Sequence, residues 1–183
     1  MPSKKPGLFP EIEFEKDATL SPCRFYRYLL TRRWNADLNV VAFVGLNPST
    51  ADETEDDPTI RKCIGFARKW GYGGIAMVNL FSLRSTNPRG LLSSARPYGP
   101  PGSVHDPIQI LRNHFGPTLT VCAWGNSAPV RGMIRLRAEQ ITRNNLTWPL
   151  HCLRTNNDGS PSHPLYLPGN LQPVPWEWMN YAK

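Results

Sequence analysis

Three short apolar runs, each closed by a polar turn, restrict this chain more than any other feature. Val40-Val41-Ala42-Phe43-Val44 carries no polar residue on either face, which suits a strand covered by helices on both sides. Ile75-Ala76-Met77-Val78-Asn79-Leu80-Phe81 is a second such run, and Leu119-Thr120-Val121-Cys122-Ala123-Trp124 a third. A last strand is expected at about 150–153. Between them the period changes. Asp56-Asp57-Pro58 is a helix start, an acidic cap followed by proline at the first helical position. Ile60, Cys63, Ile64, Ala67 and Trp70 follow at helical spacing until Gly71-Tyr72-Gly73-Gly74 stops the helix. Further helices are expected near 106–115 and, strongly basic, near 127–144. Alternating strands and helices predict a three-layer α/β/α domain with a central, mostly parallel sheet. Residues 1–20 read as a partly ordered arm, 23–34 as an extended strand or hairpin arm, and 21–183 as one domain.

With 183 residues, 40% of them apolar, the chain can bury a core without disulfide or metal staples. The formal charge is +7, and 15 of the 21 cations are arginine, the side chain best suited to forked phosphate contacts. This balance points to a polyanionic partner, with a plain solubility charge as the alternative. No window of about 18 apolar residues exists, so no membrane span is expected. The first residues lack the apolar stretch of a secretory signal, and a cytoplasmic protein is expected. Cys23, Cys63, Cys122 and Cys152 are widely scattered, and they read as reduced, partly buried thiols unless the fold brings them together. His105, His114, His151 and His163 show no ligand spacing. No metal and no cofactor are expected.

If the sheet is parallel, the turns 45–50, 79–84 and 124–126 lie along one edge, where open α/β sheets bind ligands. The segment His163-Pro164-Leu165 follows the last strand. Singly these motifs are ordinary: Asn-Pro makes turns, and a histidine after a strand is commonly structural. Their order is informative. Gly45-Leu46-Asn47-Pro48-Ser49-Thr50-Ala51-Asp52, Asp57-Pro58-Thr59-Ile60-Arg61, Val78-Asn79-Leu80-Phe81, Ala123-Trp124-Gly125 and His163-Pro164-Leu165-Tyr166-Leu167 resemble a family of bacterial and phage domains of unassigned function. In the same order, over roughly 40–168, the shorter motifs resemble the uracil-DNA glycosylase superfamily.

The resemblance implies a role for each motif. Asn47 positions the attacking water, since an amide carbonyl can orient water although it cannot take its proton. Asp52, Asp56 or Asp57 could supply a carboxylate; Asp56 and Asp57 have a second explanation as helix caps. Asn79 reads the flipped pyrimidine through an amide that both donates and accepts. His163 supports the leaving base. Leu165 or Leu167 would be the wedge that fills the emptied stack, unless 165–167 is a short edge strand. Phe81 or Trp124 could stack on the base, or belong to the core. Ser49 stands where the uracil-specific branch carries a bulky tyrosine, so C5 has room for a substituent. The long segment 82–104, with Arg84, Arg89 and Arg96, would line that space or grip phosphates, and Arg61, Lys62, Arg68, Lys69, Arg131, Arg135 and Arg137 would add phosphate contacts.

The function implied is a monofunctional DNA glycosylase that leaves an abasic site in double-stranded DNA. Its substrate would be a C5-modified pyrimidine, such as glucosylated hydroxymethylcytosine in modified phage DNA, and its setting anti-phage defence. A monomer with no membrane contact is expected. A uracil or mismatch repair glycosylase and a non-catalytic base-sensing module are the alternatives. Any of the three predicts DNA affinity that falls steeply with salt, because neutralised phosphates release counterions. Flat affinity across a salt series would count against DNA as the partner.

Overall fold

The strand β3 (Val40–Gly45) is buried along its whole length, and the layers are arranged about it. The computed structural model describes residues 15–103, 106–115, 119–145 and 147–178. β3 pairs in parallel with β4 (Gly74–Asn79) on one side and β5 (Thr120–Cys122) on the other, and β6 (Leu150–Cys152) continues the parallel set. Antiparallel strands flank it: β2 (Arg27–Arg33) on β4, β1 (Glu15–Leu20) on β2, and β7 (Val174–Pro175) on β6. The order across the seven-stranded sheet is β1-β2-β4-β3-β5-β6-β7. Residues 15–20, expected in a loose arm, therefore form an edge strand, while 1–14 lie outside the described residues. The pairing of β1 with β2 makes 15–33 a hairpin.

Successive side chains of β3 enter different cores, as the two-residue period of a strand requires. Val41 and Phe43 pack with α1 (Pro58–Lys69); Val40, Ala42 and Val44 pack with α2 (Pro107–Phe115) and α3 (Arg131–Asn144). Helices thus cover both faces of a mixed sheet that is parallel at its centre. Asp57 caps α1 by accepting the Ile60 N–H at 2.9 Å, with Pro58 in the first turn. The helix buries Ile60, Cys63, Ile64, Phe66 and Ala67, each larger side chain contributing about 1.5–3 kcal/mol. It ends where Gly71 adopts φ +80°.

Several local expectations are corrected. The third helix is shorter at its start, where residues 128–130 form a tighter 3-10 turn. Residues 164–166 form another such turn, so the alternative of an edge strand at 165–167 does not hold. Segment 82–104 is not wholly irregular, since Leu83 bridges to Tyr26 and Pro88–Leu91 is a 3-10 turn. All four cysteines are free. Cys63, Cys122 and Cys152 are buried, which raises each thiol's pKa, and Cys23 is exposed rather than buried. The four do not converge: Cys63 lies on the buried face of α1, whereas Cys122 and Cys152 are register partners on β5 and β6 in the other core.

Arg32 is fully buried on β2 and locks the loop leading into α1. Its Nε donates to Asp56 at 2.7 Å, its Nη2 to the carbonyls of Asp52 and Glu55, and its Nη1 to Thr31. Removing one partner of a buried pair leaves a charge uncompensated. Asp56→Ala should therefore cost about 3 kcal/mol, read as a lower urea midpoint with unchanged slope.

Candidate functional site

A cavity of about 460 Å³ opens at the carboxyl edge of β3, β4 and β5. The chain reverses its direction of winding here, passing from β3 to β4 on one side and then to β5 on the other, and this is where open α/β sheets hold ligands. Of the residues expected at a site, Asn47, Ser49, Asp57, Asn79, Trp124, His163 and Leu165 all line it.

Asn47 follows β3 directly. Its Nδ2 donates to the carbonyls of Ser85 at 2.8 Å and Pro48 at 3.0 Å, with Leu83 at 3.5 Å. Three acceptors around one nitrogen assign the amide's orientation. The carbonyl oxygen has no protein donor among the described residues, so it is available to the cavity. Segment 82–104 thus serves the site by gripping Asn47, and its Ser85, Thr86 and Pro88 form part of the wall.

Asn79 ends β4 opposite Gly45. A Cβ on residue 45 would lie 2.7 Å from Asn79 Oδ1, so glycine there is what lets the amide occupy the gap between the strands. Asn79 is 7% exposed and its Nδ2 finds no acceptor in the protein. The same holds for Trp124 Nε1 and for Nε of Arg27, a residue on β2 that also lines the cavity. Leaving a buried donor unsatisfied costs about 1–3 kcal/mol, and an occupant bearing acceptors recovers it.

His163 caps the turn Pro164–Tyr166, where its Nδ1 accepts the Leu165 N–H at a long 3.4 Å. That assigns the ring proton to Nε2. Burial lowers the imidazole pKa and the charge of Asp57 opposes this, so the ring is neutral at pH 7. Gly125, at φ +70°, leaves room for the His163 Cβ, which a side chain at 125 would meet at 3.0 Å. The Asn47 carbonyl, the His163 imidazole and the Asn79 amide therefore line one space, with the Asp57 carboxylate in its wall.

Other expected site residues lie elsewhere. Asp52 closes a turn, accepting from Thr54 and Glu55, and these bonds hold its pKa down at about 2. Phe81 is fully buried and stacks on Tyr98 at 5.3 Å. Leu167 is 3% exposed within the core beneath α1, so it is no wedge; Leu165 and the 80% exposed Tyr166 stand at the mouth. Trp124 is 3% exposed and meets Trp176 edge to face at 5.2 Å, with its Nε1 buried and without an acceptor. Arg61 bonds the Asp56 carbonyl one turn into α1. Arg84 bonds the carbonyls of Arg24 and Thr50, and Arg89 is exposed beside the wall residue Pro88. Arg68 belongs to the opposite end of α1, over Trp34, away from the cavity. Arg137 is 5% exposed and bonds the Leu80 carbonyl, which removes it from any phosphate surface. Among the described residues no group of three potential metal ligands is assembled, and no helix is long and apolar enough to cross a membrane.

The family model described as a protein of unknown function, DUF1643, matches residues 27–165. The chain belongs to the DUF1643 family. The match begins at Arg27 and ends at Leu165, so it holds every cavity-lining residue except Tyr166. No curated protein and no solved structure matches the sequence. Arg27 and Tyr166 are the site residues that sequence reasoning missed; the signal for Arg27 was an arginine set among Phe25, Tyr26, Tyr28 and Leu29 at the head of a strand.

The lowered pKa of His163 has a pH consequence. Below about 6.5 the unfolded histidine is protonated while the folded one stays neutral, so stability is lost as pH falls from there through the folded value. A carbon-detected titration should place the His163 midpoint below the ordinary histidine range, and Asp57→Asn should lower it further.

Proposed function

We propose that this DUF1643 protein is a DNA glycosylase that hydrolyses the N-glycosidic bond of a flipped pyrimidine substituted at C5. The observation that carries the reading is the amide of Asn47: its nitrogen is tied to Ser85 and Pro48, so its oxygen faces a cavity shared with Asn79 and His163. Hydrolysis at an anomeric carbon needs a water held on one face and charge support for the departing base on the other. Asn47 Oδ1 orients the water. Asp57, a carboxylate in the cavity wall, takes its proton and opposes the positive charge that grows on the sugar. Asn79 binds the polar edge of the base.

His163, with its proton on Nε2, donates from there to the base as it gathers negative charge. One preorganised donor of this kind contributes about 2.7–4 kcal/mol. Cytosine leaves less readily than uracil, so such support matters most for a cytosine derivative. No lysine lines the cavity among the described residues, which supports attack by water, an abasic product and no strand cleavage. Ser49 in the wall leaves space beside C5, and Leu165 with Tyr166 at the mouth fits the space vacated in the duplex. The likeness of the motifs to a family of bacterial and phage domains extends this to glucosylated hydroxymethylcytosine in phage DNA and to a role in defence against such phages.

Mass spectrometry of bases released from duplexes tests the proposal. The panel holds uracil, mismatched thymine, cytosine, hydroxymethylcytosine and glucosylated hydroxymethylcytosine, with chelator present throughout. Release of a C5-modified cytosine is expected, falling about 100-fold or more in Asn47→Ala. Release of uracil alone would select the repair reading, and binding without any release would select a base-sensing module.

A further inference from the structure

Strand β2 carries two buried arginines that face the same loop, and they differ in one respect. Arg32 is 0% exposed and every nitrogen of its guanidinium has a protein acceptor. Arg27 is 2% exposed, donates from Nη1 to the Ala51 carbonyl at 2.7 Å, and leaves Nε buried with no acceptor. No carboxylate lies within ion-pair distance of it among the described residues. Arg32 explains itself as a structural clamp; Arg27, lining the cavity, does not.

We propose that Arg27 is a ligand-contacting residue, donating from Nε–H to a carbonyl-type acceptor on the bound base. The Asp57 carboxylate in the same cavity restricts the occupant to neutral, carbonyl-bearing heterocycles over phosphates. The assignment rests on the reading of the cavity as a base pocket. A buried N–H without an acceptor is satisfied by a ligand that supplies one. The side chain is already held by the Ala51 carbonyl, so little further ordering is needed for its buried Nε–H to meet an acceptor. Burial pushes the guanidinium down to about 10, opposed by Asp57, and it stays charged at neutral pH. A phosphate entering the cavity would meet the Asp57 charge, whereas a ring carbonyl gains a charge-assisted bond and brings no charge of its own. Asn79 Nδ2, in the same wall, offers a second donor to the same kind of edge.

Binding to uncleavable duplexes provides the test. One duplex carries the 2′-fluoroarabino nucleotide of the base that the wild type releases, or of 5-hydroxymethylcytosine if none is released. The other carries a tetrahydrofuran abasic analogue in the same sequence. Arg27→Lys keeps the charge and a donor for Ala51, and it should melt near the wild type. Its affinity for the base-containing duplex should fall tenfold or more, with affinity for the abasic duplex held within twofold. Unchanged affinity for both overturns the proposal, and so does an equal loss on both, which would make Arg27 a phosphate contact. If the variant unfolds, wild-type protein labelled with ¹⁵N-arginine decides. Beside the Nε–H of Arg32, which Asp56 holds in every state, a further slowly exchanging Nε–H resonance should appear with the base-containing duplex and not with the abasic one; its absence overturns the assignment. Tight binding that depends on Arg27 but releases no base would leave this assignment standing and remove the glycosylase reading. Base release unaffected by Arg27→Lys would do the reverse.

Discussion

Burying an arginine is costly unless its donors and its charge are met, and β2 buries two of them under the connection from β3 to α1. The carbonyls of Ala51, Asp52 and Glu55 and the carboxylate of Asp56 turn inward to meet them. A loop that would otherwise be free is thereby pinned to the sheet at several points. Asn47 and Ser49 lie at one end of that loop and Asp57 at the other. The same clasp sets where α1 begins, because Asp57 is at once its cap and a wall of the cavity.

The second condition is the absence of side chains where backbone and functional groups approach. Gly45 leaves the space taken by Asn79, and Gly125 leaves that taken by the His163 Cβ. The parallel register sets Gly45 beside Asn79 at the ends of their strands. Ladder geometry thus becomes site geometry. Of the five buried polar side-chain atoms without a partner among the described residues, those of Asn79, Trp124 and Arg27 belong to residues of this one cavity, while Arg33 and His151 lie elsewhere; a ligand is one way such groups are completed.

Much of this was legible in the residues because it is local. An apolar run of five residues at Val40 demands cover on both faces, and Asp57-Pro58 announces a helix start whatever surrounds it. The edge strands β1 and β7 were not legible: β1 is polar and largely exposed, and β7 is two residues long, so partners rather than composition define them. Direction was also hidden. Phe81, Leu167 and Arg137 stand in or beside the expected motifs, yet each turns into a core. Asp52 and Asp57 are equally acidic in sequence, and only the bonds around them separate a turn-closing carboxylate from one in the cavity wall.

By itself the sequence determined an α/β chain whose polar turns follow its buried strands, because strand period, capping and turn chemistry act over a few residues. It placed Asn47, Asn79 and His163 each at the end of an element. Tertiary structure decided that these three share one cavity, since strand order and register join Asn47 to Asn79, 32 residues on, and both to His163, more than 80 residues further along. It alone also distinguished Arg27 from Arg32. The two are the same residue on the same strand, and the acceptors that satisfy one and leave the other unsatisfied come from a distant loop that the chain must fold to bring near.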